Sequence, residues 1–267
     1  MKLFAKLLEK FRAKPIYQDD WQTYLKNVDK KVSTVAVDLN FSQNKGITTR
    51  ENVISLSIQL LNPSTNGLAI KEEESELWKI EDALVLAFYK NQLNLSFAGH
   101  LTANNLRTLY FYTDNTTVIE KVISEIMLKY PTYVYEYKCE KDGLQQIYFD
   151  KLYPTPKIMQ QIKNKKVLYV LSENGDDLSK ERAVSHWIYF GEMKNLEIFE
   201  LFCQNLNFET LVKEKVPAED KNYTYKLVVS RIDKVTYDVI DGYTLPLWEK
   251  ANELDGIYDG WETSVEK

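Results

Sequence analysis

Two prolines stand at alternate positions in Tyr153-Pro154-Thr155-Pro156, just past the middle of a chain of 267 residues. Proline has no amide hydrogen and pushes the residue before it out of the helical region, so neither a helix nor a continuous strand runs easily through this point. The length fits two domains of ordinary size. The break predicts one domain over residues 1–153 and a second over 157–267. Charge divides at the same place. Residues 1–155 carry 19 basic and 19 acidic side chains and residues 156–267 carry 15 and 20, so the net charge of −5 belongs to the second part.

Hydrophobic periodicity supplies the elements on either side. Val35, Val37, Leu39 and Phe41 alternate with Thr34, Ala36, Asp38 and Asn40, the period of a half-buried strand, and Val53 to Leu61 repeats it. In Glu74 to Asn91, Leu77, Ile80, Leu84 and Phe88 recur at helical spacing, with acidic residues in the first turn and Lys90 in the last, as the helix dipole prefers. Strands at Leu95–Leu101 and Arg107–Tyr112, a helix at Thr116–Leu128 and a strand at Thr132–Lys138 complete the order ββαββαβ, with one more strand expected at Gln146–Phe149. After a leading helix at Lys157–Ser172, the second half reads βαββαβ. Its elements are a strand at Arg182–Phe190, a helix at Leu196–Leu206, strands at Phe208–Lys215 and Tyr223–Ile232, a helix within Tyr237–Leu254 and a strand at Ile257–Val265. This predicts an α+β protein made of two tandem ferredoxin-like sandwiches, each an antiparallel sheet with helices on one face.

The sequence also narrows the chemistry. No apolar run approaches the roughly 20 residues of a membrane span. Met1 to Lys14 has neither a continuous apolar stretch nor a small-residue cleavage site, so a cytoplasmic setting is expected. In that segment Leu3, Phe4, Leu7, Leu8 and Phe11 share one helical face above a stripe of Lys2, Lys6, Lys10 and Lys14. Such a helix docks on its own protein or a subunit, or rests on an anionic membrane surface. Cys139, Cys203, His100 and His186 are too few and scattered for a disulfide framework or a zinc site, and no metal or cofactor is expected.

Paired carboxylates at Asp176-Asp177 and at Asp255 with Asp259 have the chemistry of a general acid and base. Each pair sits beside glycine, which is ordinary turn composition. His186 follows Ser185, but strand neighbours point to opposite faces, so no nucleophile and base are brought together and a structural histidine is expected. Cys203 reads as a small core residue. Tyr133, Tyr135 and Tyr137 on one strand face invite comparison with base-stacking platforms. The glycine-bearing signature of those modules is absent and the second half is acidic, so direct contact with nucleic acid is not expected.

Three stretches resemble the RraB family, regulators of ribonuclease E. They are Glu173-Asn174-Gly175-Asp176-Asp177-Leu178, then Arg182 with His186-Trp187-Ile188-Tyr189-Phe190, and the terminal Gly256-Ile257-Tyr258-Asp259-Gly260-Trp261-Glu262-Thr263. The first half is similar to the family catalogued as domain of unknown function 695. That likeness rests on Trp21 with Tyr24, the strand Val35–Asn40, and Gly99-His100-Leu101-Thr102-Ala103 running into Arg107 to Tyr112. The RraB resemblance implies a non-enzymatic regulator with a ferredoxin-like fold that binds an endoribonuclease and alters RNA turnover. An acidic domain suits a basic scaffold segment of such an enzyme. Asp176, Asp177, Glu181, Asp255 and Asp259 are the expected docking face, with Trp187, Tyr189 and Trp261 securing sheet and core. Two other readings are a small-molecule sensor with a ligand cleft between the domains, and a hydrolase using the paired carboxylates.

Overall fold

A computed structural model describes residues 18–43, 49–217 and 223–267, so the amphipathic segment Met1 to Lys14 lies outside it. The chain divides into two compact units, residues 1–154 and 155–267. Both are mixtures of helix and antiparallel sheet.

Alternation in the first unit produces β1 (Trp21–Val28), β2 (Lys31–Asp38) and β3 (Asn52–Gln59), then α1 (Lys71–Lys90), β4 (Leu95–Ala103), β5 (Leu106–Thr113), α2 (Ile119–Met127) and β6 (Tyr135–Lys141). The strands form one sheet in the order β1-β2-β4-β5-β3-β6. Asp29-Lys30 and Asn104-Asn105 close the β1–β2 and β4–β5 hairpins with all four residues at positive φ, the turn geometry that matches the twist of paired strands. Leu77, Ile80, Leu84 and Phe88 of α1 and Val122, Ile123 and Ile126 of α2 bury one sheet face with Ile54, Leu56, Ile58, Leu109 and Phe111.

The opposite face is sealed by a segment expected to be a strand. Gln146–Phe149 instead leads into a π-helical turn at Tyr148–Leu152. The reason is Asp142, whose carboxylate accepts the amides of Gln146 at 2.7 Å and Ile147 at 3.0 Å and so winds the chain. The turn drives Tyr148 inward. Its ring meets Phe41, its amide donates to the Tyr112 hydroxyl at 3.1 Å, and its hydroxyl donates to the Asp38 carbonyl at 2.9 Å.

The second unit begins with α3 (Pro156–Glu173). Pro156 occupies its first turn, and the Thr155 hydroxyl accepts the Ile158 amide. β7 (Arg182–Phe190), α4 (Met193–Asn205), β8 (Glu209–Lys215), β9 (Tyr225–Asp233), α5 (Ile240–Glu253) and β10 (Ile257–Thr263) follow, with sheet order β10-β7-β9-β8. Val184, Ile188 and Phe190 of β7 pack with Leu196, Phe199 and Cys203 of α4 and with Ile240, Tyr243 and Leu247 of α5. Every second residue of β7, namely Ser185, Trp187 and Tyr189, therefore points away from those helices.

Candidate functional site

The second unit's polar residues are arranged to lock its ends. Arg182, at the start of β7, donates to the Asp176 carboxylate at 2.5 Å, with both side chains almost wholly buried (3% and 0% exposed). The same carboxylate accepts the Glu266 amide at 2.8 Å, and the Asp177 amide donates to the Glu266 carbonyl at 2.7 Å. Arg182 also donates to the carbonyls of Asp177, Lys180 and Ser264. One buried ion pair thus clips the chain terminus against the loop before β7.

A second lock lies under the sheet. His186 is fully buried, its Nδ1 is 2.7 Å from the Tyr258 hydroxyl, and the rings of Phe208 and Tyr243 stand edge-on to it. Burial, with Arg231 close by, pushes its pKa down to about 3, and burial likewise pushes the Tyr258 phenol up. The ring is a neutral core group. The third lock centres on Asn164 of α3. Its side-chain carbonyl accepts the Trp261 indole at 3.0 Å and the Gln160 amide at 3.2 Å, and its amide donates to Asp241 at 2.8 Å and to Thr244 at 2.7 Å. This ties α3, α5 and β10 together without leaving the Asn164 amide group unpaired.

The five carboxylates expected to form one face are not brought together. Asp176 is withdrawn into the pair with Arg182 and presents nothing to a partner. Asp177, Glu181, Asp255 and Asp259 are exposed. Asp177 accepts the amide and hydroxyl of Ser179, which hold its carboxyl below the usual range. Glu181 and Asp177 lie beside the first residue of β7, whereas Asp255 precedes Ile257, which pairs with Tyr189 near the last. At about 3.3 Å per residue, the length of the strand puts about 25 Å between them. Asp259 is the extra residue of a bulge midway along β10. Of the aromatic residues expected to secure the core, Trp261 does so, while Trp187 and Tyr189 lie outside it.

Comparison with known families places both halves. The family model described as Regulator of ribonuclease activity B matches residues 161–263, and the one described as Family of unknown function (DUF695) matches residues 19–153. The chain belongs to the DUF695 family. No curated protein matches it. Two solved structures are similar at low identity. One is an unknown protein from Galdieria sulphuraria, 10% identical over 81% of this chain and 99% of that one, with a TM-score of 0.25. The other, a protein assigned as a glycine cleavage system transcriptional repressor, is 7% identical over 81% of this chain and 98% of that one, with a TM-score of 0.22.

The DUF695 unit has its own buried polar groups. Arg107 of β5 is fully enclosed, donates from Nη2 to both oxygens of Glu74 at 2.7 and 2.8 Å, and donates from Nε to Thr102 at 2.9 Å. His100 of β4 lies 2.7 Å from Glu81 of α1. A cleft of about 500 Å³ between the start of α2 and β6 is lined by Thr116, Val118, Glu120, Tyr137 and Cys139. Tyr135 and Tyr137 pack against the core beneath the helices, so they form no stacking platform on a free face. Among the described residues no group of three or more histidines, cysteines or acids could hold a metal ion. No described helix is long and apolar enough to cross a membrane.

Asn164 escaped the sequence reading. Its signal was present as a polar residue at the first place of the stripe Asn164, Leu168, Leu171, which the fold buries.

Proposed function

We propose that this chain is a cytoplasmic, non-enzymatic regulator whose second unit binds an endoribonuclease of the ribonuclease E type through a basic scaffold segment and modulates RNA turnover. The match of residues 161–263 to the Regulator of ribonuclease activity B family carries this reading. The excess of acid in residues 156–267, and the exposure of Asp177, Glu181, Asp255 and Asp259, support a partner of positive charge. Of the two carboxylate pairs, Asp176-Asp177 does not suit acid–base work, because Asp176 is held in the ion pair with Arg182 while Asp177 points outward.

We take 1–153 and 157–267 as the domain limits and read both as ferredoxin-like. The second unit's four strands lie in the order fourth, first, third, second, with α4 and α5 as the two crossovers. In the first unit β3, β4, β5 and β6 take the same order, with α1 and α2 as crossovers and β1–β2 added beside β4.

The test is to mix the purified full chain with a ribonuclease E-type enzyme and follow cleavage of a fluorescent RNA. Slower cleavage and a salt-sensitive complex at micromolar concentration are expected. Unchanged cleavage together with no complex at low salt overturns the proposal.

A further inference from the structure

The β7 residues turned away from α4 and α5 fall into register with neighbours on β9 and β10. Ser185 lies opposite Ser230 and Glu262, Trp187 opposite Val228 and Gly260, and Tyr189 opposite Lys226 and Ile257. Directly opposed residues share a face, so this side of the sheet carries two half-buried aromatic rings with the buried Val228, the half-buried Val212 and the exposed Ile257 around them. Gly260 keeps a space free beside the indole, since a Cβ built there would meet nothing within 4 Å. Its φ of +149° in the bulge is one that side-chain-bearing residues rarely adopt.

Acid outnumbers base on this face. Glu209, opposite Ser230, and Glu262 lie on it, and Asp259 stands exposed in the bulge at its edge. Among the described residues none of the three has an ion-pair partner. The cation in these rows, Lys226, is held by Glu214 at 3.2 Å. Phosphates are disfavoured here. A planar guanidinium is favoured, because it stacks on aromatic rings and donates from its edge to a carboxylate.

We propose that this face, with Trp187 and Tyr189 flanked by Glu209, Asp259 and Glu262, docks an arginine-rich segment of the partner polypeptide. The proposal rests on the reading of the second unit as a protein-binding regulator, and adds where and by what chemistry it binds. Within the stretches that carry the likeness to ribonuclease regulators, Asp176, Arg182, His186, Tyr258 and Trp261 are consumed inside the unit, while Trp187, Tyr189, Asp259 and Glu262 are turned to this face or its edge. Recognition therefore falls to side chains that those locks hold in place from behind.

The experiment titrates the full chain against a fluorescein-labelled oligoarginine peptide by anisotropy, at low and high salt. Asp259→Lys/Glu262→Lys is expected to weaken binding at least about ten-fold, and Trp187→Leu about three-fold or more, with unchanged melting temperature for the charge variant. Glu173→Lys/Glu192→Lys makes the same charge change elsewhere on the unit and is expected to stay within about two-fold. Equal loss in the two charge variants overturns the proposal, as does loss confined to Asp177→Lys/Glu181→Lys, which would move docking to the end of the sheet. Failure to bind the peptide while still binding the ribonuclease overturns it alone. Peptide binding lost by Asp259→Lys/Glu262→Lys in a chain that leaves the ribonuclease untouched supports the face and overturns the partner. Tighter binding of a labelled single-stranded RNA, competed by the peptide, overturns it in favour of nucleic acid.

Discussion

The two units place four strands in the same order and finish the sheet differently. The DUF695 unit widens it with β1 and β2, and folds the Tyr148 turn over the face its helices leave bare. The second unit keeps four strands and adds α3 on the helix side, where Asn164 joins it to Thr244 of α5 and to Trp261. One architecture thus spends its extra chain on closing a second face and the other on bracing the first. What teaches most is where each keeps its buried charge. Each arginine stands at the start of an interior strand, but Arg107 joins its strand to helix α1 through Glu74, whereas Arg182 pairs with Asp176, whose carboxylate also holds the Glu266 amide.

That contrast is broken most severely by Arg182→Met. The substitution leaves the Asp176 carboxylate buried without its cation, and removal of one partner of a buried pair costs about 3–5 kcal/mol. Denaturant unfolding should show the second unit's transition moving alone, with that of the DUF695 unit in place. A loss below about 1 kcal/mol would mean that Asp176 finds water or swings outward.

Acid sharpens the comparison next, because His186 faces a phenol while His100 faces a carboxylate. Above the ordinary histidine pKa the His186 ring is neutral whether the unit is folded or not. Below 6.5 the unfolded chain takes up a proton that the folded unit refuses until about pH 3. Stability that is complete above pH 6.5 is therefore lost as pH falls, by about 1.4 kcal/mol per pH unit for one proton. Unfolding midpoints at pH 7, 6 and 5 measure the slope, and His186→Phe should flatten it.

Gly256→Ala comes third. The added methyl would lie 2.3 Å from the Phe190 ring, and such overpacking costs about 1–3 kcal/mol. A melting temperature equal to that of the unaltered chain would show that Phe190 can move aside.

Much of this is legible in the sequence. Leu77, Ile80, Leu84 and Phe88 announced the helix that covers the first sheet, and the alternation through Val184, His186, Ile188 and Phe190 announced β7. β1 was missed because edge strands mix polar and apolar residues on both faces, as Trp21 to Val28 do, and because Asp29-Lys30 lacks the glycine that usually marks its turn. Gln146–Phe149 was misread because alternation over four residues does not distinguish a strand from a turn capped by an aspartate upstream. The site was less legible for a further reason. Asp176 and Asp177 are adjacent in sequence, yet the carboxylate of one is enclosed between Arg182 and an amide 90 residues away while that of the other is exposed and bonded only to Ser179 among the described residues. Pairing over that distance leaves no local pattern. The stretches that carried the family likeness hold both kinds of residue, since Asp176, Arg182, His186, Tyr258 and Trp261 hold the unit shut while Trp187, Tyr189, Asp259 and Glu262 lie on or beside the side of the sheet turned away from the helices.

The smallest effect tests that division between holding and binding. Lys226→Ala removes a cation bridged to Glu214 on the second sheet's outer face, with the lysine side chain 24% and the glutamate 51% exposed. Pairs of this exposure contribute about 0–1 kcal/mol, so the melting temperature should scarcely move. The same change frees Glu214 and removes the cation from rows otherwise lined by acid. Binding of the oligoarginine peptide should therefore tighten about two- to three-fold at low salt, with the gain vanishing at high salt. Tightening without stabilisation would separate the surface that recognises from the interior that folds. A variant that lost stability and left affinity unchanged would place Lys226 among the bracing residues and remove this face from the binding account.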